Sequence, residues 1–402
     1  MSYSVDEIII QPATKRVKLD ESENEDRLSD LPDCVILHIL SFLNAKQAVT
    51  TSILSLRWRD LWKLLPALIL DSSDFRTIPI FNKFVHRVLT LRDSSLALNS
   101  LNFRHNQPRI IKSVVNYAIS HNIQRLRLYV GCHIAQIPPS VFSCQTLTHL
   151  ELYFGEQTLF PKSLNLPSLT SLYLKNFAFC ADENGRAEPF SAFNRLNSLF
   201  LCGCAVRDTL TLCISSATLV SFTVRSHSYD FYEIELCTPS LGTFGFTGKS
   251  YKKIFGSGLS CVKHVDIDVE IFHMDMQPSL ILLGWLLGLT DIKSLTVTAS
   301  TLQVLCLNSN ILKTKLPSLG NLKLLKVNKK PLAYGFRKLL IDIKVQKIRP
   351  RKEGAKLRKS FKAGLEPSAP IPDGIVDFLI QNSPLADVEI VDCTWRKTQS
   401  TS

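Results

Sequence analysis

The chain has 402 residues, of which 45% are hydrophobic and 20% charged, a globular balance that excludes wholesale disorder and a low-complexity fibre. Its formal net charge is +12, yet 17 basic residues against two acidic ones fall between Lys313 and Lys362, which leaves the remainder at −3. The longest uncharged apolar run, Leu280–Leu289, is about half of the roughly 20 residues that cross a bilayer, so no membrane partner is expected.

Residues 1–26 read as a disordered tail. Its one short apolar run is flanked by acids, unlike a secretory signal, so the expected location is the nucleus, with the cytoplasm as second choice. Within the tail, PATKRVKLD (Pro12–Asp20) groups Lys15, Arg16 and Lys18. The string resembles the nuclear import signal of the Myc transcription factor, differing at Thr14. The 11 cysteines are scattered, with no CxxC and no zinc spacing. They are expected to be reduced, buried thiols, and no metal or cofactor is expected.

Residues 27–75 carry helical periodicity. Pro32 suits a first helical turn with Asp30 as cap, and Leu31, Ile36, Leu40 and Leu43 follow at helical spacing. Asn44 with Gln47 is a capping box for a second helix bearing Val49 and Leu54. Trp58, Leu61, Trp62 and Leu65 recur as on a third helix. Three short helices make a core that is marginal alone, which suggests docking on another subunit. The segment LPDCVILHILSFL, followed by SILSLRWRDLW, resembles the F-box of plant F-box proteins with leucine-rich repeats. The resemblance implies a Skp-type adaptor as partner, and through it a cullin. Carried over by position, Leu31, Pro32, Ile36, Leu40, Leu43, Val49, Leu54, Trp58 and Trp62 would face that adaptor. The competing reading for each is plain interior packing.

Across residues 76–330 the pattern apolar-x-x-apolar-x-apolar recurs, from LNSLNF (Leu98–Phe103) to LKLLKV (Leu322–Val327). Its middle positions are 101, 126, 150, 172, 199, 222, 244, 265, 295 and 325. That period is the leucine-rich repeat, and an earlier copy, LPALIL, leads out of the third helix. Most units lack the Asn or Cys of the full consensus, as at Phe177, so an irregular horseshoe is expected. TLQVLCLNSNIL (Thr301–Leu312) falls too close to its neighbour to be a rung and reads as a connection. The residues between the leucines point outward and include the target-binding candidates Arg125, Arg127, His149, Glu151, Tyr173, Lys175, Phe200, Thr223, Arg225, His264 and Asp266.

Residues 331–372 form a basic loop or insertion, and 373–402 a terminal helix-then-strand unit that would cap the array. The expected fold is thus α/β: a three-helix F-box, an irregular leucine-rich-repeat solenoid and a capping unit. Catalytic motifs are missing. Gly248-Lys249-Ser250 imitates a phosphate loop, but Thr243 stands where a glycine is required. The favoured function is a non-catalytic substrate-recognition subunit of a Skp–cullin–F-box ubiquitin ligase. The alternatives are a repeat scaffold working outside a ligase and a nuclear nucleic-acid binder using residues 344–362; no nucleic-acid reader motif accompanies that stretch.

Overall fold

The structure is a computed structural model. It describes residues 31–105, 110–131, 137–183, 185–226, 232–250, 252–270, 277–307, 311–312, 319–330 and 370–393. The import-like cluster at Lys15, Arg16 and Lys18, the Asp30 cap and the basic stretch 344–362 lie outside the described residues.

Pro32 ends an extended entry, and α1 (Asp33–Ser41) starts one residue later, without a side-chain cap. Asn44 then caps α2 (Ala45–Thr50) with both arms of the expected capping box formed. The third α-helix does not form. Leu61–Leu64 makes only a short 3₁₀ helix, after which Leu65 is extended. The cause is Pro66, which disfavours helical backbone at the residue before it. The tryptophan spacing therefore marks burial rather than a helix: Trp58 and Trp62 both lie in the core.

From β1 (Ala67–Asp71) onward the chain builds a sheet whose strand pairs are all parallel. Its strands follow in order: β2 (Ser100–His105), β3 (Arg125–Val130), β4 (His149–Leu159), β5 (Ser171–Cys180) and β6 (Ser198–Cys202). A short β7 (Ala205–Arg207) also pairs with β5. The sheet continues through β9 (Ser221–Ser226), β11 (Thr243–Gly248), β13 (His264–Val269), β14 (Ser294–Thr298) and β15 (Leu324–Lys329), and ends with β16 (Asp387–Asp392). Each described strand of this path lies beside its predecessor, so the winding never reverses.

All ten middle positions of the repeat fall in one register row, extended by Leu68 at the start and Val388 at the end. Burial alternates along the strands, with this row inside. The return segments cover it. They carry α3 (Ile78–Leu91) and α4 (Ile111–Ser120), whose buried faces are Phe81, Val85, Val88 and Val114, Val115, Ala118. In the middle they switch to a three-stranded parallel sheet of β8 (Thr211–Ser215), β10 (Glu233–Cys237) and β12 (Ile254–Phe255). Afterwards they return to helices α5 (Gln277–Gly288) and α6 (Ala299–Cys306). TLQVLC is therefore a connection, as its spacing requires.

Phe177 fills the consensus slot and is buried, and Asn176 stands one residue before it. Asn176 takes a left-handed conformation (φ 62°) and donates from Nδ2 to the Phe154 carbonyl at 2.7 Å. The terminal unit, α7 (Ile375–Ile380) and β16, adds a parallel strand along β15; Leu385 is 96% exposed, and Val388 and Ile390 are also exposed. Of the described cysteines only Cys144, Cys202, Cys204 and Cys213 are buried, while Cys34 and Cys237 are exposed.

Two predictions follow from this packing. Leu172→Ala removes one inward side chain between two filled rungs and should cost about 2–5 kcal/mol in denaturant unfolding. His105 is fully buried against Phe81 and Phe103, and neither ring nitrogen has a hydrogen-bond partner among the described residues. Burial holds its pKa below the ordinary value. The unfolded chain then binds a proton that the folded chain resists, so stability should fall as pH drops through about 6.5. His105→Leu should flatten that slope between pH 7 and 5, read by the urea midpoint.

Candidate functional site

Two surfaces stand out. The first lies on the N-terminal helices. Inside them, Ile36, Leu40, Trp58 and Trp62 pack in the core, so these four expected adaptor contacts are not presented to a partner. Leu31, Leu43 and Val49 are half-buried against the same core, and Pro32 is exposed. Of the expected contacts only Leu54 is a large apolar side chain standing in solvent, at 60% exposure. Beside it, sequence reasoning missed Phe42, Ile53 and Leu56, exposed at 73%, 82% and 85%. The signal was present: once the positions packed at i, i+4 are assigned inward, these apolar residues are left over. Leu43, Thr50, Ile53, Leu54 and Asp74 line a shallow cavity of about 480 Å³ here. Arg57 holds this segment to α1 through Asp33 at 2.6 Å.

This end is joined firmly to the sheet. The buried Arg92 guanidinium donates to the carbonyls of Leu65 (3.1 Å), Leu96 (2.9 Å) and Ala97 (2.7 Å). Asn44 Nδ2 donates to Asp74 at 3.0 Å, and Lys46 to the Asp74 carbonyl at 2.6 Å.

The second surface is the sheet face opposite the helices. The register brings most of the target-binding candidates together. Arg125 stands beside His149, whose pKa is lowered by burial and by the Arg125 charge. Arg127 grips Glu151 with two hydrogen bonds of 2.7 and 2.6 Å, and Tyr153 donates its hydroxyl to the same carboxylate at 2.8 Å. Tyr173 lies between Tyr153 (4.5 Å between centroids) and Phe200 (4.2 Å), and burial pushes its hydroxyl pKa up to about 12. Lys175 neighbours Tyr153 and Cys202, and Arg225 neighbours Cys202. His264, on β13, stands three strands beyond β6 and is not part of this group. Tyr129, Tyr153 and Arg104 were missed because they fall just past the repeat pattern; an aromatic following the last repeat leucine, in Leu128-Tyr129 and Leu152-Tyr153, was the available signal.

Among the described residues no group of His, Cys, Asp and Glu could hold a metal, and no helix is long and apolar enough to cross a membrane. The phosphate-loop imitation is a strand end. Gly248 has φ 115°, and a Cβ there would lie 1.9 Å from the Ser226 carbonyl oxygen. That glycine serves the close approach of two strands.

If Ile53 and Leu56 are docking residues and not core, polar replacements cost no folding energy. Ile53→Ser and Leu56→Ser should each leave the denaturant midpoint within about 0.5 kcal/mol of the unmodified chain.

Comparison with known proteins bears on both surfaces. Residues 28–69 match the F-box domain family. An FBD-associated F-box protein of Arabidopsis thaliana is 30% identical over 301 residues, covering 70% of this chain and 73% of the relative. An F-box/FBD/LRR-repeat protein of the same plant is 27% identical over 358 residues, covering 82% and 76%. An F-box/LRR-repeat protein from it is 27% identical over 314 residues, covering 72% and 69%. With an N-terminal F-box and a long parallel sheet of repeated strands, the chain belongs to the plant F-box/LRR family.

Proposed function

We propose that this chain is the substrate-recognition subunit of a Skp–cullin–F-box ubiquitin ligase. Its F-box docks a Skp-type adaptor, which joins it to a cullin. The parallel sheet is a leucine-rich-repeat solenoid, whose open face holds a target protein. The chain does no bond chemistry. It raises the effective concentration of a target lysine near ubiquitin activated elsewhere. The basic cluster Lys15, Arg16 and Lys18 directs it to the nucleus.

The observation that carries this reading is the apolar surface at Phe42, Ile53, Leu54 and Leu56, within the F-box match. Several large apolar side chains exposed within one short module mark an interaction site. Burying each one on a partner contributes about 1.5–3 kcal/mol before association costs. The reading is tested by binding of purified full-length chain to a recombinant Skp-type adaptor. The unmodified chain and a distant control, Leu385→Asp, should bind alike. Ile53→Asp combined with Leu56→Asp should weaken binding at least tenfold without unfolding the chain. An unmodified chain that ignores the adaptor would overturn the proposal.

A further inference from the structure

The open sheet face carries a continuous stack of aromatic rings. Tyr129, Tyr153, Tyr173 and Phe200 stand on the consecutive strands β3 to β6, with centroid separations of 3.9, 4.5 and 4.2 Å and interplanar angles of 17°, 27° and 8°. Cations close both ends: Arg104 lies 4.6 Å from the Tyr129 ring and Arg225 lies 5.9 Å from Phe200. Every ring face is thus occupied by another ring or a guanidinium. What remains for solvent is the ring edges, which carry the positive side of the aromatic quadrupole.

Around the stack, basic side chains outnumber the carboxylates. Arg104 and Arg127 are paired with Asp71 and Glu151. Arg125, Lys175 and Arg225 have no carboxylate partner among the described residues. Farther along the sheet the sign reverses at Asp266 and Asp268, which marks where such a surface ends. Positive ring edges bordered by unpaired cations suit carboxylates on short apolar stems. Nucleic acid is disfavoured, because binding a single strand needs free ring faces for its bases.

Resting on the reading above, we infer that this patch recognises an extended acidic peptide segment of the target, with aspartate or glutamate side chains set over the ring edges and held by Arg125, Lys175 and Arg225. From β3 to β9 the patch spans about 19 Å, the length of about six extended residues.

The test is selection of a random decapeptide library on the purified full-length chain, followed by fluorescence anisotropy of the leading synthetic peptides. Peptides rich in Asp and Glu should be enriched. Lys175→Glu combined with Arg225→Glu should weaken them at least tenfold, and 0.5 M salt should weaken them likewise. Tyr173→Ser should weaken them severalfold, with circular dichroism confirming that the variant folds. Enrichment of neutral or basic peptides, no enrichment, affinity untouched by the charge reversal, or tighter binding of a single-stranded oligonucleotide would each overturn the inference. Adaptor binding is measured on the same preparations. Its loss from the unmodified chain with acidic selection intact would sink only the ligase reading, and the converse result only this one.

Discussion

No strand of the sheet is long enough to bury its own inward side chains. Leu126 is dry because Leu101 and Leu150 lie beside it in register, and the same holds from Leu68 through Leu325. Parallel pairing makes this possible at every step, since each return segment brings the chain back in the same direction. Side chains alternate across a strand, so the inward row also fixes the outward one. Slipping one strand by a single residue would push a leucine into water and pull Arg127 or Tyr173 into the core. The open face is therefore a consequence of apolar packing on the other side.

That dependence explains what could be read from the amino-acid order. Ten middle positions were legible because the period recurs and the register follows from it. The outer layer was not. A strand such as Thr211–Ser215 has five residues and one alternation, too little to separate it from the loops around it. The third F-box helix was misread because Trp58, Leu61, Trp62 and Leu65 have the spacing of a buried helical face, while Pro66 prevents that helix from being completed. The family resemblance located the F-box but not its exposed side chains. Regularly spaced positions such as Ile36, Leu40 and Trp62 hold the module together, and less patterned ones, Phe42, Ile53 and Leu56, are left in solvent. Nor did the spacing announce Asn176, whose left-handed backbone and hydrogen bond to the Phe154 carbonyl link β5 to β4.

The two surfaces use different physics. The helical end presents aliphatic and aromatic groups, and its attraction for a partner is non-directional and scarcely affected by salt. The sheet face presents oriented charges and ring edges, and its attraction is directional and screened by salt. A proximity mechanism needs both surfaces on one stiff body, because a flexible joint would dilute the effective concentration it creates. Arg92 links the two parts. Its guanidinium draws together carbonyls from the last F-box turn and from the approach to β2, and it is buried while doing so. A buried cation without acceptors would be strongly unfavourable, so these carbonyls are held in place as much as they hold the arginine.

The far end of the sheet shows what the charged face is not. β16 continues the register but leaves Leu385, Val388 and Ile390 uncovered, and its outward positions Asp387 and Glu389 are acidic. Glu389 is bound to Lys326 at 2.9 Å, and Asp392 to Lys329 at 3.7 Å, so charge on the last two strands is largely satisfied internally. At β3 to β9 the pairing is incomplete, and cations remain after the local carboxylates are used. An array stabilised only by its leucines would have no need of that imbalance. Arg125 and Lys175 lie on strands of the ring stack and Arg225 on the adjacent β9, which puts the two features on one surface, separate from the packing that holds the strands together.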